Sequence, residues 1–90
     1  MTEPETPVWF SDPVEAMRFL IEERKRQGLS QRVLAGRLGV SQSQLAAWET
    51  RAVGNERAGT WLPRTKTVIR WAEGLGFRVN VTFTLERRGD

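Results

Sequence analysis

The chain has 90 residues, of which 39% are hydrophobic and 28% charged, enough for one compact domain. It contains neither cysteine nor histidine, which excludes disulfide scaffolds, thiolate zinc sites and catalytic centres built on a Cys nucleophile or a His base. Its acidic residues are scattered along the chain, so we expect no enzyme activity, no metal site and no cofactor.

The formal net charge of +3 is unevenly distributed. Residues 1–15 carry four acidic and no basic residues, whereas residues 16–90 carry all 14 Lys and Arg against seven acids. A basic body suits a polyanion such as nucleic acid, although an Arg-rich solvated surface would have the same composition. No apolar run approaches the roughly 20 residues of a membrane span, and no secretory signal is recognisable, so a cytoplasmic location is expected.

The chain begins with a loose segment and a helix. Residues 1–10 contain two prolines and predict a flexible N-terminal segment, in which Trp9 and Phe10 can dock onto the body. The first helix is predicted to begin after Asp12, a capping residue followed by proline, and to end at Gly28. Its face toward the core is predicted by helical spacing and consists of Val14, Met17, Leu20, Ile21 and Arg24.

Two short helices joined by a tight turn are predicted next. Ser30 can cap the first, which ends at Gly39, and Ser41 can cap the second, which is predicted to run to about Arg51. Ala35 is small at the point where the two helices approach. The residues spaced to fill the volume between them are Leu34, Leu38, Val40, Leu45 and Trp48.

The remainder of the chain predicts a loop, a helix and a strand. Residues 52–62 are predicted to form a loop, and Pro63 precedes a fourth helix that runs through Gly74 and is terminated by Gly76. The apolar set of that helix is Val68, Ile69, Trp71 and Leu75. Residues 87–90 form a polar tail.

From residue 77 the hydrophobic period changes to two, which predicts a half-buried strand over residues 77–86. A lone strand leaves backbone groups unpaired at both edges, so it needs a partner, and its own copy in a second subunit is the first candidate. Addition to another protein's sheet and pairing within the chain near Trp9 are alternatives. The predicted dimer interface consists of Phe77, Val79, Val81, Phe83 and Leu85.

The segment from Leu29 to Arg51 resembles the phage repressor and Cro type of helix-turn-helix, also called the xenobiotic-response-element type. The matching positions are Leu29, Ser30, Gln31, Ala35, Leu38, Gly39, Val40, Ser41, Leu45, Trp48 and Glu49. The resemblance covers about residues 14–76. It implies a mainly α, lambda-repressor-like bundle of four to five helices, with residues 11–76 as the DNA-binding domain.

The resemblance, combined with groove geometry, implies residues that read bases. Gln42 is expected to contact an adenine edge, and Gln31 to contact a phosphate while supporting Gln42. Ser43 can bind a base or a phosphate, and Ala46 and Ala47 can touch a thymine methyl group. The alternative for Gln42 and Ser43 is plain helix capping.

The reading helix lacks the positive charge that many relatives carry there, which predicts a preference for A·T pairs at the Gln42 contact. Candidates for contacts to the DNA backbone are Gln31, Ser41, Arg51, Arg57, Arg64 and Lys66. The four basic residues lie in or beside a loop that is longer than is usual in the family, so a mobile solvated insertion is the alternative. Arg32 and Arg37 are expected to face solvent.

These inferences together predict a homodimeric transcription regulator, expected to be a repressor, that binds double-stranded DNA at a short inverted-repeat operator. Two alternatives stay open on the sequence. The first is the antitoxin of a toxin–antitoxin pair, which would bind a cognate toxin as well as its operator. The second is a protein-interaction adaptor that keeps the fold without binding DNA.

Overall fold

The computed structural model describes residues 7–54 and 63–89. Over these ranges the chain forms four helices: α1 (Pro13–Arg26), α2 (Gln31–Leu38), α3 (Gln42–Gly54) and α4 (Thr65–Gly74). Both α1 and α2 pack against α3 and α4. The predicted mainly helical architecture is confirmed. No helix in the described part of the chain is long and apolar enough to cross a membrane.

The N-terminal caps of the first three helices lie where the sequence predicts them. The Asp12 carboxylate accepts a hydrogen bond from the backbone N–H of residue 14 at 2.8 Å. The Ser30 hydroxyl accepts from the N–H of residue 33, and the Ser41 hydroxyl from that of residue 44, both at 3.1 Å. Each bond satisfies a helix N–H that has no partner within its own helix, so the side chains fix where the helices begin.

The predicted ends of α1, α2 and α4 are confirmed by backbone conformation. Gly28, Gly39 and Gly76 each follow the end of a helix and have φ values of 73°, 71° and 94°. At Gly39 this left-handed conformation turns the chain sharply from α2 toward α3. A residue with a Cβ atom would be strained there, so the short turn depends on glycine.

Helix α3 is longer than the sequence predicts. The prediction ended it at about Arg51, but it continues to Gly54, so residues 52–54 are helical and the predicted loop begins later. Ala52 is fully buried, and Arg18 on α1 donates to its carbonyl oxygen at 2.8 Å. The burial of Ala52 and the hydrogen bond from Arg18 therefore stabilise the additional residues at the end of α3. The rest of the predicted loop, 55–62, lies outside the described residues.

A single apolar core lies between the four helices. It contains Met17, Leu20 and Ile21 of the predicted inward face of α1, and it confirms the predicted contacts between α2 and α3, with Val40 and Trp48 half-buried at its edge. The other two predicted inward residues, Val14 and Arg24, are buried outside this cluster. The buried members are Met17, Leu20, Ile21, Leu34, Ala35, Leu38, Leu45, Ala52, Trp71, Ala72 and Leu75. Burial of these side chains supplies the main favourable contribution to folding.

The strand predicted over residues 77–86 is not formed within the described residues, and this part of the prediction is corrected. Phe77 and Val79 are half-buried against the core, but Val81, Phe83 and Leu85 are 47%, 79% and 91% exposed. A strand requires hydrogen bonds to a neighbouring strand. No second strand exists in the described part of this chain, so residues 77–89 run on without helix, strand, turn or bend.

An aromatic cluster joins the two terminal segments to α1. The Phe19 ring lies 5.3 Å from the Phe10 ring and 5.9 Å from the Phe77 ring, measured between centroids. Trp9 is 80% exposed, so of the two aromatic residues expected to dock onto the body, the structure places only Phe10 in contact.

Polar contacts join the end of α1 to the end of α4. Arg26 donates two hydrogen bonds to the Glu23 carboxylate, and Gln27 Nε2 donates to Glu23 at 3.2 Å and to the Leu75 carbonyl oxygen at 3.0 Å. The hydrogen bond from Arg26 is the main reason that the pKa of Glu23 is lowered below its usual value. The cluster therefore favours the ionised carboxylate.

Two glycine substitutions test the packing of α4 on α2. A Cβ atom at Gly74 would lie 2.9 Å from Leu38 Cδ2 and 3.3 Å from Leu34 Cδ1, whereas one at Gly36 would meet nothing within 4 Å. Gly36→Ala should raise the free energy of unfolding by about 0.5–1 kcal/mol through helix propensity. Gly74→Ala should lower it by about 1 kcal/mol, because overpacking outweighs that gain. Urea denaturation measures the free energy of unfolding of both variants. Stabilisation by Gly74→Ala as well as by Gly36→Ala would contradict the close packing of α4 on α2 at Gly74.

A second prediction concerns pH. Because folding lowers the pKa of Glu23, the carboxylate stabilises the fold above the pKa of the unfolded state, about 4.3. That contribution is lost as the pH falls through the lower pKa of the folded state. Glu23→Gln should therefore lower the free energy of unfolding at pH 7, with a deficit that shrinks as the pH is lowered through about 4.

The control is Glu22→Gln, which removes an exposed pairing with Lys25 at 3.6 Å and should change stability little at either pH. Urea denaturation of both variants at pH 7 and at about pH 3 provides the comparison. A Glu23→Gln deficit of the same size at the two pH values would contradict the assigned role.

Candidate nucleic-acid interface

Helices α2 and α3 form a helix-turn-helix with a three-residue connection, 39–41. The N–H of Val40 donates to the Ala35 carbonyl oxygen at 3.0 Å, which closes the last turn of α2. Ala35 is buried, as predicted for a position where the two helices approach. The arrangement presents the beginning of α2 and the outer face of α3 on a rigid support.

The outer face of α3 is defined by the residues that it buries. Leu45, Glu49 and Ala52 point into the protein. At 100° per residue, the opposite face is centred on Ser43 and Ala47. Of the four predicted base-reading residues, Gln42, Ser43 and Ala47 are exposed and Ala46 is half-buried. Short, mostly uncharged groups therefore cover the first two turns of this face.

Thr50 extends this face and was missed by the sequence analysis. It is exposed, and it follows Ser43 by seven residues, or two turns, so the two side chains share one face about 10 Å apart. The seven-residue spacing between Ser43 and Thr50 was the one feature of the sequence that could have identified Thr50 as part of this face.

A buried ion pair holds α3 against α1. Arg24 Nε and Nη2 donate to the two carboxylate oxygens of Glu49 at 2.7 and 2.9 Å, and the side chains are 9% and 8% exposed. Arg24 Nη1 also donates to the Leu29 carbonyl oxygen at 2.7 Å, in the connection between α1 and α2. The bidentate geometry and the third hydrogen bond offset the cost of removing both charges from water.

The same carboxylate binds Gln31, the first residue of α2. Gln31 Nε2 donates to Glu49 Oε1 at 2.9 Å, so α1, α2 and α3 meet at one network. A carboxylate in an ion pair only accepts hydrogen bonds, which requires the amide nitrogen of Gln31 to face it. The amide oxygen and the second N–H then remain for other partners. The predicted support of Gln42 by Gln31 would have to use those groups.

The sequence analysis missed the Arg24–Glu49 pair, although a signal was present. Arg24 falls on the apolar face of α1 by spacing, and Glu49 adjoins Trp48 on the inward side of α3. A charged residue in such a position is buried only when it is paired. An arginine and a glutamate that both face the core, on two helices predicted to pack together, therefore indicate a buried ion pair between them.

The structure describes most of the residues predicted to contact DNA phosphates. Arg51 lies in the last turn of α3, and Arg64 and Lys66 lie at the start of α4; all three are exposed and have no ion pair among the described residues. Ser41 is exposed, and its hydroxyl is used as the helix cap. Arg57 lies outside the described residues.

Two other arginines have structural partners. Arg37 on α2 donates to the Gly74 carbonyl oxygen at 3.0 Å, and Arg70 on α4 donates to the Leu38 carbonyl oxygen. Each arginine thus satisfies a carbonyl at the C-terminal end of the other helix. Arg37 is exposed, as is Arg32, in agreement with the expectation that both face solvent.

Helix α4 supports α3 from behind. The fully buried Trp71 ring lies 5.8 Å from the half-buried Trp48 ring of α3. The Trp71 indole N–H has no acceptor among the described residues, so this ring contributes through apolar and aromatic contact. The position of α3 therefore depends on the core as well as on the ion pair.

Comparison with known proteins agrees with this geometry. The helix-turn-helix family model matches residues 20–53, from the second half of α1 to the last turn of α3. This confirms the resemblance to the phage repressor and Cro type over those residues; the wider resemblance over residues 14–76 stays a prediction. No curated protein and no solved structure matched the chain. A helix-turn-helix of this type suggests a DNA-binding transcription regulator.

A double substitution tests the ion pair. Glu49→Leu leaves Arg24 buried without its anion and should lower the free energy of unfolding by about 3–5 kcal/mol. Arg24→Met combined with Glu49→Leu removes both charges and should recover most of that loss, because two apolar side chains of similar size fill the site. Urea denaturation of the two single variants and the double variant measures the coupling. Additive losses would show that the charges do not depend on each other.

Proposed function

We propose, from the helix-turn-helix over residues 20–53, that this chain is a sequence-specific DNA-binding transcription regulator that inserts α3 into the major groove. The observation that carries the proposal is the exposed face of α3, where short side chains stand opposite a buried ion pair. A groove floor accepts such a face because no bulky residue prevents close approach to the base edges.

Base contacts are assigned by hydrogen-bonding chemistry. The Gln42 amide has a donor and an acceptor that match N7 and N6 of adenine. Ser43 can bond to a base or a phosphate, and the methyl groups of Ala46 and Ala47 suit a thymine methyl. Thr50 carries both a hydroxyl and a methyl group, and extends this surface by one turn. The operator is therefore expected to contain A·T pairs at the centre of each contact.

Contacts to the DNA backbone hold this face in register. We assign them to Gln31 and Ser41 at the starts of α2 and α3, and to four basic side chains around the end of α3 and the start of α4. Those basic residues are Arg51, Arg57, Arg64 and Lys66. Each Lys or Arg that neutralises a phosphate releases counterions, so the association constant should fall steeply as salt is raised.

We propose further that the chain acts as a homodimeric repressor on an inverted repeat. Two copies related by a two-fold axis place two reading helices about 34 Å apart, one turn of DNA. Selection of sites from a random duplex pool, at about 150 mM salt, tests this directly. Enrichment of a two-fold symmetric sequence is expected, and recovery of no preferred sequence would overturn the proposal.

A pair of glutamine substitutions tests whether Gln42 reads a base. Gln42→Ala should weaken binding to the selected operator by about 1–3 kcal/mol, and the loss should disappear on an operator with the contacted base pair changed. Gln44→Ala is the matched control, because Gln44 is also exposed but lies about 200° around α3 from Gln42. Fluorescence anisotropy with labelled duplexes measures both. Equal effects of the two substitutions, or a loss that is the same on every sequence, would contradict base reading by Gln42.

A further inference from the structure

The last turn of α3 is held against α1 by one charged side chain. The final four carbonyl groups of a helix have no partner within that helix, and the Ala52 carbonyl is one of these in α3. It accepts a hydrogen bond from Arg18 Nε on α1 at 2.8 Å. The Ala52 side chain is fully buried, and Arg18 is half-buried. A cation on α1 therefore satisfies a carbonyl at the end of α3 and also opposes the negative end of the helix dipole.

The local sequence of this turn gives it little helical stability. Val53 and Gly54 are among the poorer helix formers, and Val53 is 59% exposed. An open cavity of about 310 Å³ lies between the turn and α1 and is lined by side chains of both helices, among them Ile21 and Val53, so apolar packing there is incomplete. The last turn of α3 therefore depends on the hydrogen bond from Arg18 and on the burial of Ala52.

Arg51, the residue before Ala52, carries the positive charge of this turn. Successive residues of a helix are about 100° apart, so holding Ala52 inward turns the preceding side chain outward. Arg51 then lies about 60° from the centre of the outer face, which is defined by Ser43 and Ala47. It is exposed and has no ion pair among the described residues. When such a face enters a groove, its centre meets base edges and its margin meets phosphates.

We propose that Arg18 is a positioning residue for DNA binding. By holding the Ala52 carbonyl it keeps the last turn of α3 helical, and the helical turn places Arg51 against a phosphate. Arg18 itself does not contact DNA. This role rests on the proposed function, in which Arg51 is one of the backbone contacts. Without Arg18 the helix is expected to end near Arg51, where the local sequence alone would end it, and the Arg51 side chain would lose its fixed direction.

Amide hydrogen exchange in the free protein tests the effect of Arg18 on the end of α3. The N–H groups of Val53 and Gly54 bond to carbonyl oxygens four residues earlier. Arg18→Met keeps the apolar stem but removes the donor, and should raise the exchange rates of these two amides about tenfold while changing that of Leu45 little. Arg18→Lys keeps a charged donor and should restore most of the protection. Unchanged exchange at positions 53 and 54 in the Arg18→Met variant would overturn the proposal.

The salt dependence of binding to the selected operator tests the effect of Arg18 on Arg51. Arg18→Met should weaken binding about tenfold on every sequence, as expected for the loss of one charge-assisted contact. It should also reduce the slope of log K against log salt by about 0.9, the contribution of one phosphate, as Arg51→Met should. The double variant should show no larger reduction, because both substitutions remove the same contact. A double variant with twice the reduction would mean that Arg18 binds a phosphate itself, and would overturn the positioning role.

Arg37→Met is the matched control. Arg37 also donates to a carbonyl oxygen at the end of a helix, that of Gly74 in α4 at 3.0 Å, and its replacement also removes one positive charge. This substitution should leave the salt slope and the exchange rates at positions 53 and 54 unchanged. An equal reduction of the slope by Arg37→Met would show that a general loss of charge or stability explains the effect of Arg18→Met, and would overturn the proposal.

Failure of this positioning role can be told apart from failure of the proposed function. Site selection with the natural chain reports DNA recognition, whereas hydrogen exchange without DNA reports the end of α3. A natural chain that selects no operator would overturn the proposed function, whatever the exchange rates show. A natural chain that selects an operator, to which the Arg18→Met variant binds with unchanged affinity and salt slope, would overturn only the role of Arg18.

Discussion

The ion pair between Arg24 and Glu49 lies where three of the four helices meet, and the geometry of the candidate interface depends on it. Glu49 belongs to α3, Arg24 to α1, and the same carboxylate binds Gln31 at the start of α2. Removing two charges from water is costly, and two apolar side chains would fill this volume at no such cost. Unlike apolar contacts, however, hydrogen bonds between charged groups have definite directions, and these directions fix how the helices are aligned.

That alignment separates two functions along α3. Its inner side carries the carboxylate and the apolar residues that hold the helix, while its outer side carries short groups that are free to meet a ligand. Support from behind comes from α4, which approaches α2 closely because Gly74 has no side chain and which places Trp71 beside Trp48. In the proposed DNA complex, a helix held in this way would lose little conformational freedom on binding, which favours affinity.

Much of the local structure could be predicted because its causes lie within a few residues of each other. A serine or aspartate cap, a glycine in the left-handed conformation and an apolar residue every three or four positions all act within one or two turns. The starts of the first three helices, the ends of α1, α2 and α4, the turn at Gly39 and the exposure of Gln42, Ser43 and Ala47 were therefore predicted correctly. The sequence by itself determined the helix-turn-helix and most of the residues that it exposes at the start of α3.

The tertiary structure alone decided the features that join distant parts of the chain. The extra turn of α3 exists because Arg18, 34 residues earlier, meets the Ala52 carbonyl, and Gln31 binds Glu49 because two helices cross at that point. The C-terminal segment shows the converse, since its alternation predicts a strand but a strand needs the backbone of another one. Local pattern fixes what a segment can form, and long-range packing, hydrogen bonding and charge pairing decide what it does form.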